Sequence, residues 1–99
     1  MANILKPLYR GPASTTSTTL YTVPAATSTL VGKIIVANTD SSVASYDMSL
    51  NDVVIAKDVV ISNNDSVVLD ISQVIEATET IKALASASTV NFYISGMEI

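Results

Sequence analysis

The side chains able to do chemistry in this 99-residue chain are few and of a limited kind. There is no histidine and no cysteine. That removes the usual general base near neutral pH, the thiol nucleophile and the commonest metal ligand. A Ser–His–Asp arrangement is excluded. A Ser–Lys pair is formally open, but Lys6, Lys33, Lys57 and Lys82 sit in no recognisable nucleophile motif. Paired carboxylates hydrolyse glycosides, and Asp47, Asp52, Asp58, Asp65 and Asp70 are the candidates. Each falls at a turn or an outward strand position, where aspartate is ordinarily a solvated surface group. Asn63-Asn64-Asp65 is oxygen-rich but lacks the spacing of a calcium-binding loop, and reads as a tight turn bonded to its own backbone. Gly11, Gly32 and Gly96 are isolated, so no phosphate-cradling loop exists. The expectation is a non-enzyme with no catalytic, cofactor-binding or metal-binding residue and no cofactor.

Binding is the chemistry left, and apolar residues carry it. Ile34-Ile35-Val36, Val53-Val54-Ile55, Val59-Val60-Ile61 and Val67-Val68-Leu69 are apolar at every position. A strand alternates its side chains between two faces, and a two-sheet sandwich buries one face of each sheet. One register of each triplet must therefore look outward. If Ile35, Val54, Val60 and Val68 converge, they make a larger apolar patch than soluble monomers carry. Tyr93 joins them, pointing outward if Phe92 points inward. An exposed tyrosine stacks on a sugar or anchors an interface; its bland reading is cross-strand packing. These five residues are the candidate interface, and the expected partner is another copy of the chain.

The elements that must position them read as strands almost throughout. Val, Ile, Thr and Tyr dominate, and breaks recur every eight to twelve residues, the spacing of sandwiches and barrels. Strands are expected over residues 3–9, 18–23, 30–38, 46–50, 53–61, 67–71, 79–85 and 89–95. Residues 53–61 form one strand with a bulge or two short ones around Ala56-Lys57-Asp58. Tyr46, Met48 and Leu50 share a face. Asn51-Asp52 and residues 62–65 are turns. Residues 73–78 read as a crossover or short helical turn. Residues 1–19 form an N-terminal arm or an irregular first strand, and residues 20–99 a single β-sandwich domain. The fold class is an all-β, antiparallel two-sheet sandwich, jelly-roll-like in preference to immunoglobulin-like, since the strand count reaches eight and the Cys…Trp…Cys pattern is missing.

Composition narrows the partners. The hydrophobic share of 48% supports a folded core. Five basic residues, scattered along a chain of net charge −4, do not form the cationic cluster that nucleic acid requires. Residues 1–6 lack the apolar stretch of a secretory signal, and no run approaches the length needed to span a membrane. The expectation is a soluble protein made in a cytoplasm, binding neither nucleic acid nor membrane.

From Leu20 onward the chain resembles small β-sandwich virion structural proteins of tailed bacteriophages. The resemblance runs through Leu20-Tyr21-Thr22-Val23-Pro24-Ala25, Ile34-Ile35-Val36-Ala37-Asn38-Thr39, Ala56-Lys57-Asp58-Val59-Val60-Ile61, Asn64-Asp65-Ser66-Val67-Val68-Leu69-Asp70 and Asn91-Phe92-Tyr93-Ile94-Ser95-Gly96-Met97-Glu98-Ile99. It departs at Thr78-Glu79, where related phage proteins often carry Gly-Asp. The resemblance implies a non-enzymatic capsid decoration or cement protein, often trimeric, that binds itself and the major capsid protein within a virion. Tail, baseplate or fibre components belong to the same group. It carries no catalytic residue. A carbohydrate-binding adhesion module is the competing reading and needs exposed rings around Tyr93, Tyr46 or Tyr9; a small hydrolase is a third, disfavoured by the missing histidine and cysteine.

Overall fold

Turn residues punctuate the chain where the sequence places them. Asn51 and Asp52 both adopt positive φ, 50° and 60°, the conformation of a two-residue hairpin whose twist matches its flanking strands. Asn64 does the same at 52°. The structure, a computed structural model, describes residues 3–99. Its strands are β1 (Ile4–Pro12), β2 (Thr18–Thr22), β3 (Thr29–Asn38), β4 (Ala44–Leu50), β5 (Val53–Ile61), β6 (Asp65–Ile75), β7 (Thr80–Ala85) and β8 (Val90–Glu98).

These strands form two antiparallel four-stranded sheets packed as a sandwich. Sheet A has the order β1-β8-β3-β6 and sheet B the order β2-β7-β4-β5. First pairs with last, second with seventh, third with sixth and fourth with fifth. The chain is thus a long hairpin rolled upon itself, and the order is not that of an immunoglobulin sandwich. Within residues 1–19, which the sequence reads as an arm or an irregular first strand, Ile4–Pro12 form β1 and pair with β8 across a bulge at Leu8; residues 1 and 2 lie outside the described residues. Residues 73–78, which the sequence reads as a crossover or helical turn, instead stay extended to Ile75. Pairing of Gln73, Val74 and Ile75 with β3 overrides their weak local preference. The turn is confined to the residues after Ile75, with Thr78 at φ 71°. Residues 53–61 form one strand, with Lys57 and Asp58 bulged out opposite Asp47.

The core lies between the sheets. Val31, Ile34, Val36, Val90, Phe92 and Ile94 from sheet A meet Tyr46, Met48, Ile81, Ala83 and Ala85 from sheet B, all buried. Tyr46 and Phe92 pack edge to face with ring centroids 6.0 Å apart. The buried Asn38 ties down the β3–β4 connection: its amide nitrogen reaches the carbonyls of Ser42 at 2.8 Å and Ile61 at 3.3 Å, and its oxygen accepts from the Asp40 amide at 3.1 Å.

Sheet A depends on an irregularity in β3. Thr29 and Val31 face inward, and so do Ile34, Val36 and Asn38. Strict alternation cannot place Val31 and Ile34 on one face. Gly32 is an extra residue relative to β8, while β6 sets Ile71 and Ser72 against it, so the register is displaced on both sides of β3. On β8 at this level is Gly96. A Cβ there would meet the Leu8 side chain and the carbonyl oxygen of Leu30, which belongs to the paired backbone of β3. Gly96→Ala is expected to cost about 2–3 kcal/mol through overpacking, read as a lowered urea midpoint with an unchanged slope.

Candidate functional site

The two outer faces of the sandwich differ in chemistry. On sheet A, outward side chains line up across β1, β8, β3 and β6. One row is Leu5–Met97–Leu30–Val74, the next Pro7–Ser95–Lys33–Asp70, the next Arg10–Tyr93–Ile35–Val68, and the last Pro12–Asn91–Ala37–Ser66. Two of these rows are apolar in all or most positions. Leu5 is 80% exposed and Tyr93 42% exposed, and Ile35, Val68 and Val74 are also exposed. Between the first and third rows lies an open groove of about 480 Å³, lined by Leu5, Leu30, Met97 and Tyr93, with Lys33 beside them and only backbone at Gly32 and Gly96.

The outer face of sheet B carries cross-strand ion pairs, with exposed Val54 and Val60 along its β5 edge. Lys82 Nζ lies 2.8 Å from Asp52 Oδ1, and Lys57 Nζ 3.3 Å from Asp47 Oδ2. Asp47 also accepts the Asp58 backbone amide at 2.7 Å, closing the β5 bulge where Asp58 sits at φ 49°. That backbone donor, with Lys57 assisting against partial burial, holds the Asp47 carboxyl below its ordinary value. The aspartates therefore do not gather into a catalytic pair: Asp47 and Asp58 brace a bulge, Asp52 sits in a hairpin turn, Asp65 opens β6 and Asp70 lies on sheet A. Among the described residues no group of three metal-ligating side chains converges.

The five residues singled out by sequence separate into two groups. Ile35, Val68 and Tyr93 occupy a single row of sheet A, with Tyr93 outward and Phe92 buried. Val54 and Val60 are on β5, opposite Ser49 and Ser45 on the outer side of sheet B. All four aliphatic residues point outward, but the patch does not unite them. Faces follow from a period of two, whereas sheet membership follows from pairing partners far away in sequence. Leu5, Leu30, Val74 and Met97 extend the sheet A patch. Their signal in the sequence, an apolar residue flanked by differently facing neighbours, is masked by the bulges at Leu8 and Gly32.

The tyrosines needed for a sugar platform are mostly committed elsewhere. Tyr46 is buried in the core, and the Tyr9 hydroxyl donates to the Pro12 carbonyl at 2.8 Å. Tyr21 donates to the Glu98 carboxylate and lies 3.0 Å from the Thr29 hydroxyl, tying β2 of sheet B to β8 and β3 of sheet A. Burial, and secondarily Glu98, raise the Tyr21 pKa, keeping the phenol protonated as a donor. The sequence offers no sign of this tie, because Glu98 stands 77 residues from Tyr21 along the chain.

No protein-family model matches the chain, and no curated protein matches it in sequence. Among solved structures it is similar to the catalytic domain of Agl-KA, at 15% identity and a TM-score of 0.47, covering 91% of this chain and 20% of that one. It is also similar to a pentameric capsid protein isolated from metagenomic phage sequences, at 15% identity and a TM-score of 0.41, covering 95% of this chain and 59% of that one. The chain thus spans less than two thirds of either.

The Asp47 brace is testable by its pH dependence. A carboxyl held low when folded stabilises above its unfolded pKa, and this contribution is lost as pH falls through the folded value. Asp47→Asn is expected to lower stability by about 1 kcal/mol at neutral pH. The difference from the parent protein should shrink as pH drops below about 4, measured by urea unfolding across a pH series.

Proposed function

We propose that the chain is a non-enzymatic structural subunit of a bacteriophage particle, with capsid decoration as its role. The observation that carries this reading is the outer face of sheet A, where exposed apolar rows run across all four strands, whereas the exposed Val54 and Val60 of sheet B are confined to its edge strand beside ion pairs. Such a surface is the mark of a protein that works by being covered. The rolled-hairpin winding, with strands in the order 1-8-3-6 and 2-7-4-5, supports reading the sandwich as a jelly roll, an architecture that viral capsid domains use. The resemblance from Leu20 to Ile99 supplies the phage context, with the major capsid protein as the surface to which the subunit attaches.

A carbohydrate-binding module is less well supported. Of its three candidate rings, Tyr46 is inside the core and Tyr9 is half-buried and bonded to its own strand, which leaves Tyr93 alone. One ring does not make a stacking platform.

Imaging purified particles with and without the protein tests the proposal. Added density at symmetry-related positions on the capsid surface is the expected result. Density confined to the tail would replace decoration with a tail or fibre role, and no association with particles would overturn the virion reading.

A further inference from the structure

The outer face of sheet A is complementary to itself. We infer that it is covered by the same face of a second copy of this chain, related by a two-fold axis that lies between the faces and runs parallel to the strands. This deepens the assembly reading above and rests on it.

That rotation keeps each row level while exchanging the sheet's two edges. It lays β1 over β6 of the second copy and β8 over β3. Leu5 then falls on Val74, Met97 on Leu30 and Tyr93 on Ile35, while Arg10 falls on Val68 and Lys33 on Ser95. Charge follows the same symmetry. Arg10 stands at the β1 edge and Asp70 at the β6 edge, in adjacent rows. After the rotation they lie at the same edge of the interface, offset by one row, about 7 Å along the strand, which an arginine side chain spans. The two-fold makes this pair twice.

The size of the face agrees. Four strands about 4.8 Å apart, over some ten residues of length, make a rectangle of roughly 19 by 30 Å, or about 600 Å². Side-chain relief raises this toward the ~800 Å² that each partner contributes to a standard interface.

Sedimentation equilibrium on the full chain over a concentration series tests the inference. A dimer is expected. Arg10→Asp and Asp70→Arg should each raise the dimer Kd by about tenfold or more, and combining them should restore it. Ile35→Glu, and separately Val68→Glu, should give monomers whose circular dichroism matches the parent, since both residues are exposed, and whose Tm no longer rises with protein concentration. A wild-type monomer or trimer, a charge-reversed pair that does not recover, or a dimer indifferent to both glutamates would overturn the inference. Adding the same variants to particles stripped of the protein separates it from the proposal above. A wild-type chain that is monomeric yet decorates overturns the dimer face alone, and a wild-type dimer that never decorates upholds the face while overturning the virion role.

Discussion

Which side chains reach the core is governed by the phase of alternation along β3, and that phase is reset at Gly32. Below the reset Thr29 and Val31 face sheet B; above it Ile34, Val36 and Asn38 do. A one-residue slip would exchange these for Lys33 and Ile35, placing a cation in the core and a buried amide at the surface. Because β3 is bonded on both sides, to β6 and to β8, its neighbours adjust with it. Ile71 and Ser72 stand opposite the extra residue on one side, and Gly96 gives up its side chain to the crowding on the other. The inner face of sheet A and the apolar rows on its outer face are two results of this single displacement.

The outer faces show two ways of treating a surface. On sheet B, Lys57, Asp47, Lys82 and Asp52 hold each other in place, and the edge strand β5 is broken by bulges near Ile55 and at Lys57-Asp58. A bulged edge is a poor template for a further strand, so the exposed Val54 and Val60 do not make β5 sticky along its backbone. Among the described residues, sheet A carries a single cross-strand ion pair, Lys6 with Glu98. Its charges are sparse and sit between apolar rows, which leaves that face suited to contact.

The sequence discloses faces more readily than neighbours. The alternation of Tyr46, Met48 and Leu50, the Asn51-Asp52 turn and the outward registers of Ile35, Val60 and Val68 are local properties, and local chemistry is enough to read them. That Ile35 and Val68 share a sheet while Val54 and Val60 belong to the other is a matter of long-range pairing, with no trace in any short window. The extension of β6 through Gln73 to Ile75 is similar, for the decision is made by β3 and not by those residues. Asp47 reads as a solvated outward carboxylate until its partner, the Asp58 amide on the bulge, is seen. The tie between Tyr21 and Glu98 is hidden for the same reason, since two ends of the chain must meet before it exists.

The rolled-hairpin winding also fixes an order of events. Only β4 and β5 pair with a neighbour in sequence; every other pairing encloses that hairpin at growing distance. None of β1, β2 and β3 bonds to another of the three, and each waits for β6, β7 or β8. Loops of that span close slowly. During synthesis the apolar run Ile34-Ile35-Val36 therefore emerges long before anything exists to cover it, an interval in which unpaired strands are prone to aggregate. A ribosome that has released β1 to β3 has released no sheet at all.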